Sequence, residues 1–164
     1  MQISDILIPA RIACDVEANS KKRVMDVLAD LIAGASPKLA RTEVFDSLVA
    51  RERLGSTGLG DGVAIPHGRV THCDRAIGAF LKTPCGIDFD AIDNQPVDVF
   101  FALLVPENST EEYLELLSQL AEMFSVKSFL DTLRNEHSPD ALYKLLINWS
   151  RSSTSGDNHL DGAP

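Results

Sequence analysis

Val97-Asp98-Val99-Phe100-Phe101-Ala102-Leu103-Leu104-Val105 is apolar at every position but one. Rich in Val, Phe and Leu, it reads as a buried strand. Even extended to Pro106 the run contains Asp98 and falls far short of the ~20 apolar residues of a membrane-spanning helix. Upstream, Ala76 to Thr83 reads as a second strand. Cys85 to Asp93 alternates in places and is expected as a hairpin edge. Val63-Ala64-Ile65 is a brief strand that Pro66 should stop, because proline brings no N–H to a ladder.

Helical patterns flank this strand block on both sides in chain order, which makes the class α/β. Val24, Val27, Leu28, Leu31 and Ile32 form one helical face over 20–34, with Ser20 as N-cap and Gly34 as a left-handed C′ residue. A second helix is expected from about Thr42 to Arg53, carrying Val44, Phe45, Leu48 and Val49 inward and ending before Gly55. After the last strand, Ser109-Thr-Glu-Glu112 has capping-box spacing, followed by Leu114, Leu117, Leu120, Ala121 and Phe124 as an inward face. A short helix from Ser125 would bury Val126, Phe129, Leu130 and Leu133. Ser138-Pro139 opens a last helix that carries Leu142, Leu145, Leu146 and Trp149. Residues 1–150 make one domain, and 151–164, with almost nothing to bury, read as a flexible tail.

Composition narrows the function. The chain has 164 residues, 45% hydrophobic and 24% charged, an ordinary globular balance. Its formal charge of −9 argues against phosphate backbones and anionic bilayers as partners. Met1-Gln-Ile-Ser-Asp5 lacks the basic and apolar regions of a secretion signal. Cys14, Cys73 and Cys85, an odd number widely spaced, suit free thiols in a reducing cytoplasm. None is expected to act as a nucleophile.

The chemistry concentrates between Arg51 and Gly68: Arg-Glu-Arg-Leu-Gly-Ser-Thr-Gly-Leu-Gly-Asp-Gly-Val-Ala-Ile-Pro-His-Gly. Four glycines in the eight residues from Gly55 to Gly62 argue against a regular element there. His67 lies between Pro66, which sets the backbone's approach, and Gly68, which removes a crowding side chain. A neutral imidazole keeps one unprotonated nitrogen and can act as nucleophile, base or metal ligand. Ser56 and Thr57 add hydroxyls, glycine amides such as that of Gly58 can hold an anion, and Arg51 supplies a guanidinium fork. Nucleophile, donors and a fixed cation are the parts of phosphoryl transfer. The loop lacks Gly-Lys-Ser/Thr, and Gly58-x-Gly60-x-Gly62 lacks the dinucleotide spacing, so nothing requires a nucleotide.

Glu52-x6-Leu59-Gly60-x2-Val63-Ala-Ile-Pro-His67-Gly68 resembles the phosphorylation-site motif of type-2 EIIA domains of the bacterial phosphotransferase system, the mannitol/fructose class. With Arg51 and Arg69 at its ends, the stretch looks closest to the nitrogen-regulatory branch, EIIA-Ntr. The resemblance extends over about residues 1–150, with Ile3-Ser-Asp-Ile-Leu7 and Leu104-Val-Pro-Glu-Asn-Ser-Thr110 in matching places. It implies a mixed central β-sheet sandwiched by helices on both faces, the phosphotransferase/anion-transport-protein-like fold. It implies a phosphotransferase in which His67 takes a phosphoryl group on its tele nitrogen from a phosphocarrier of the HPr/NPr kind. Arg51 would sit beside that group, with Ser56, Thr57 and Gly58 around it, and no cofactor or metal would be needed. Partner proteins would be regulated by the phosphorylation state, through the charge that it adds. The acidic balance suits encounter with a basic carrier.

One position departs from the family. Its second histidine normally opens the helix after Val-Pro-x-x-x-Thr, and Tyr113 stands in that place. A phenol can donate to a phosphoryl oxygen but carries no positive charge at neutral pH. Two other functions stay open at this point: a sugar-specific EIIA passing phosphate to an EIIB domain, and a binding module never phosphorylated. Other motifs point to less. His72-Cys73 lacks a ligand set for zinc, Asp88/Asp90/Asp93 reads as a solvated turn, His137 precedes a helix and His159 lies in the tail.

Overall fold

A computed structural model describes residues 1–149, which form a six-stranded mixed sheet with helices against both faces. The elements in chain order are α1 (Ile3–Ile6), a 3-10 turn (Pro9–Arg11), β1 (Ile12–Cys14), α2 (Lys21–Gly34), α3 (Arg41–Arg53), β2 (Gly58–Gly60), β3 (Val63–Ala64), β4 (His67–Val70), β5 (Ile77–Ile87), β6 (Val97–Pro106), α4 (Thr110–Ser125), α5 (Lys127–Asn135) and α6 (Pro139–Asn148). The tail expected at 151–164 lies outside the described residues.

The expected buried strand is β6, and the sheet is built around it. β5 runs antiparallel to it, pairing Ala79 with Ala102 and Phe80 with Phe101. β1 lies parallel on the far side of β5. On its other side β6 takes two short strands end to end, both parallel to it: β3 opposite Val99–Phe100 and β4 opposite Leu103–Pro106. β2 closes that edge, antiparallel to β3.

Alternation along β6 divides its side chains between two cores. Phe100, Ala102 and Leu104 pack with α2 and α3, through Leu28, Ile32, Val44 and Leu48. Val99, Phe101, Leu103 and Val105 pack with α1 and the C-terminal helices, through Leu116, Leu120, Leu133 and Leu146. All seven of these β6 side chains are fully buried, each worth about 1.5–3 kcal/mol for the larger ones relative to exposure. A strand apolar on both faces requires such a double covering.

Several local expectations are corrected. Pro66 divides a strand rather than stopping it: its carbonyl accepts from Leu103 N at 2.9 Å, and β4 resumes one residue later. The glycine-rich loop contains β2, and its turn to β3 uses left-handed backbone at Asp61 and Gly62. β5 runs on to Ile87 through an irregularity between Lys82 and Ile87, so residues 85–87 belong to β5 and the expected hairpin edge over the rest of 85–93 does not form a strand. Gly34 is the last helical residue and has no positive φ; Ser20 does cap α2, accepting from Arg23 N at 3.1 Å.

α4 shows the largest shift of face. Its buried residues are Tyr113, Leu116, Leu120, Met123 and Phe124, whereas Leu114 is 58% exposed and Leu117 and Ala121 are half-buried. Ser109 makes no side-chain cap, so the capping box expected there does not form. The stripe is rotated by about one residue because Tyr113, an amphipathic side chain, takes the inward place that leucine was expected to hold. Ser138 behaves as expected, accepting from Ala141 N.

Candidate functional site

β4 carries His67, and its packing against α3 depends on Gly68. A Cβ on Gly68 would collide with the Ser47 hydroxyl and come within 3.1 Å of the Ser47 backbone. The helix therefore lies directly on the strand, pinned by Ser47 Oγ donating to Arg69 O at 3.0 Å. That contact brings the last turn of α3, and Arg51 with it, to the imidazole.

His67 is 8% exposed. Its Nδ1 lies 2.7 Å from the Ile65 carbonyl oxygen, which can only accept. Arg51 Nε, which can only donate, lies 3.1 Å from Nε2. Both partners require the same tautomer: the proton sits on Nδ1 and the lone pair on Nε2. Burial, foremost, holds the His67 pKa below its ordinary value; the Ile65 hydrogen bond opposes this, Arg51 adds to it, Glu52 opposes it and Arg69 adds to it. The ring is thus neutral near pH 7, with its nucleophilic nitrogen already facing a cation.

Arg51 is braced in turn. Its Nη1 donates to Gly55 O at 2.8 Å, and the remaining guanidinium N–H groups make no further hydrogen bond among the described residues. The site opens into a cleft of about 340 Å³ lined by Ser56, Thr57, Leu59 and Ile65 below, and by Leu117, Ser118 and Ala121 of α4 above.

The polar groups of the loop serve mainly its own shape. Ser56 Oγ donates to Phe89 O at 3.0 Å and accepts from Gly58 N at 3.1 Å. Gly58 is pressed against Ala91, where a Cβ would come within 2.8 Å of the Ala91 Cβ. Thr57 gives both its hydroxyl and its amide to Glu52. Glu52 is 8% exposed and takes Lys21 Nζ at 2.8 Å as its counter-charge. Lys21 also donates to Phe89 O and stands 4.7 Å from the centre of the Phe89 ring. An ion pair across α2 and α3 therefore carries the floor of the cleft.

Tyr113, from the first turn of α4, sets its ring 5.5 Å from the His67 ring at a 57° tilt. Burial pushes its phenol pKa up, with Arg69 and then Arg51 opposing, so the hydroxyl stays protonated. The Arg69 guanidinium lies over the Tyr113 ring, 4.8 Å from its centre.

The sequence-predicted residues divide accordingly. His67, Arg51 and Tyr113 meet at one point; Ser56 and Thr57 line the cleft, and Gly58 lies behind it. Sequence reasoning gave no role to Glu52, Arg69 or the Ile65 carbonyl. Glu52 was detectable: it continues the buried row Val44, Leu48, Glu52 at i, i+4, i+8, a charge on an apolar stripe. Arg69 was not, because no strand was expected beyond Pro66.

Elsewhere the chemistry is quiet. Cys14 and Cys73 have thiols pushed up chiefly by burial, and Cys85 is exposed. Asp88 and Asp93 accept from Asp90 N and Gln95 N in a turn, and Asp93 also takes Asp61 N. Among the described residues no group of three or more His, Cys, Asp or Glu side chains could hold a metal ion, and no helix is long and apolar enough to cross a membrane.

Comparison with known proteins gives consistent matches. The profile of the family described as "Phosphoenolpyruvate-dependent sugar phosphotransferase system, EIIA 2" matches residues 5–149. A "Nitrogen regulatory protein" of Pseudomonas aeruginosa is 45% identical over 147 residues, 90% of this chain and 96% of that one. The Escherichia coli protein of the same description is 40% identical over 147 residues, covering 89% and 90%. The crystal structure of nitrogen regulatory protein IIA-Ntr from Neisseria meningitidis superimposes with a TM-score of 0.82 at 46% identity, covering 88% of this chain and 98% of that one.

Proposed function

The chain belongs to the EIIA 2 family of the phosphoenolpyruvate-dependent sugar phosphotransferase system, and from that membership we propose that it accepts a phosphoryl group on Nε2 of His67 and signals by its phosphorylation state. The observation that carries this reading is the double fixing of the imidazole, Nδ1–H to Ile65 O and Nε2 to Arg51 Nε. The donor is a phosphohistidine carrier of the HPr/NPr kind. As the carrier's N–P bond breaks, its electron pair returns to the carrier imidazole, and the His67 Nε2 lone pair forms the new N–P bond. The proton stays on Nδ1, donated to the Ile65 carbonyl, which stabilises the charge that the ring gains.

Arg51 exchanges its bond to Nε2 for bonds to phosphoryl oxygens, and its uncommitted N–H groups meet the charge that spreads over them in a loose transition state. The Tyr113 hydroxyl, which makes no hydrogen bond among the described residues, donates to the same group in place of the family's second histidine. Ser56, Thr57 and Gly58 shape the loop beneath. Regulation of partner proteins follows the similarity to nitrogen regulatory proteins at 40–45% identity, and the work belongs in the cytoplasm with the carrier.

The test is incubation with phosphoenolpyruvate, enzyme I and an HPr/NPr-type carrier. An acid-labile phosphoryl group located on His67 is expected, and none on His67→Gln. Unchanged labelling of His67→Ala together with indifference to substitution of Tyr113 overturns the assignment. Onward transfer to an EIIB domain would point to a sugar-specific role instead.

A further inference from the structure

We propose that Arg69 is a second phosphoryl-binding cation, held in reserve on the Tyr113 ring until His67 is phosphorylated. The inference rests on His67 being the acceptor, and adds a residue whose guanidinium has no other task in the described structure. His67 and Arg69 stand two residues apart on β4, so their side chains leave the same face about 7 Å apart along the strand. The guanidinium is over the Tyr113 ring, and that ring is the one tilted against His67. Arg69 is exposed and, among the described residues, its side chain makes no ion pair and no hydrogen bond. Arg41, Arg51 and Arg134, by contrast, are all held by hydrogen bonds to named partners.

A cation resting on an aromatic face at an exposed site is held weakly, by a factor of about two to five in population. A phosphoryl dianion on Nε2 offers it charge-assisted, bidentate hydrogen bonds that are stronger. The exchange needs only side-chain rotation about a fixed strand. It replaces the positive charge missing at position 113 with one from β4. It also uncovers the Tyr113 ring, so the two phosphorylation states differ in exposed shape as well as in charge.

The experiment measures the equilibrium constant for phosphoryl exchange between the carrier and this protein at concentrations where the two are dissociated. That quantity is blind to how well they dock. Arg69→Gln is expected to shift the equilibrium toward the phosphocarrier by about 5–10-fold, and Arg69→Lys by less, with unchanged thermal unfolding of the unphosphorylated proteins. In parallel, the Arg69 Nε–H resonance of ¹⁵N-arginine-labelled protein should shift and exchange more slowly once His67 is phosphorylated. An equilibrium within twofold of wild type for Arg69→Gln, with an unmoved Arg69 resonance, overturns the role of Arg69 while leaving His67 as acceptor. Wild-type protein that carries no phosphoryl group on His67 overturns both.

Discussion

Replacing Glu52 by glutamine keeps the shape of the side chain and removes its charge, which makes it a sharp probe of the cleft floor. The carboxylate takes the Thr57 amide through both oxygens at 3.2 Å, the Thr57 hydroxyl, and Lys21 Nζ at 2.8 Å. A glutamine can keep one acceptor, but its NH2 then faces donors. Breaking a buried pair outright costs about 3–5 kcal/mol. Lys21 is 26% exposed and also bonds to Phe89 O and Asp90, so part of its charge remains served. The expected loss is therefore about 2–4 kcal/mol. For a domain of this size that lowers Tm by about 5–15 °C. Urea unfolding followed by circular dichroism measures it, with Lys21→Met and the double variant completing a cycle. The coupling between the two should exceed about 1 kcal/mol, because either single change strands a charge that the other would remove. Phosphoryl acceptance should slow as well, since Thr57 loses its anchor. A stability loss below about 0.5 kcal/mol, or additive single changes, would refute the ion pair as support of the loop.

Three further outcomes are expected. Arg51→Gln should lower the rate of phosphoryl acceptance by about 10²–10³-fold, the effect of deleting one preorganised donor, as read by rapid-quench labelling. Because burial above all holds His67 below its ordinary pKa, the unfolded chain gains a proton near pH 6.5 that the folded chain still refuses. Stability present above that value should decline as pH falls toward the folded pKa, by at most about 1.4 kcal/mol per unit, and His67→Gln should abolish this component in urea titrations at stepped pH. On α4, Leu114→Ser should change stability by less than about 0.5 kcal/mol, whereas Leu116→Ala should cost about 2–5 kcal/mol; the reverse order in chemical denaturation would restore the face expected from sequence.

What the residues disclosed in advance was mostly what periodicity can carry. Val97–Val105, apolar on alternate and intervening positions alike, required covering on both sides, and the helical rows before and after it supplied the covers. The failures lie where one side chain serves two purposes. Tyr113 is apolar enough to turn inward and polar enough to be discounted, so the leucines beside it misdirected the stripe of α4. Pro66 lacks an amide yet keeps a carbonyl, and that carbonyl let the strand lane continue. At the site, His67 and Arg51 stood out because their chemistry is scarce and their neighbours are small. Glu52 could be read as a charge on the apolar row of α3, but its partner could not, because Lys21 arrives from thirty-one positions earlier in the chain. Ile12–Cys14 and the short helix before it were too brief to announce any period.

The break at Pro66 has a consequence for genetics. The group that holds the proton on Nδ1 is a main-chain oxygen, that of Ile65, in the two-residue gap between β3 and β4. No codon change can delete it. Alanine scanning around His67 will uncover Arg51, Glu52 and Tyr113, yet it will pass over the group that chooses which nitrogen is free. Variants that alter tautomer should therefore map to residues that steer the backbone, with Pro66→Ala and Gly68→Ala the first candidates. In a selection for lost phosphorylation, they would stand apart as hits without any side chain capable of chemistry.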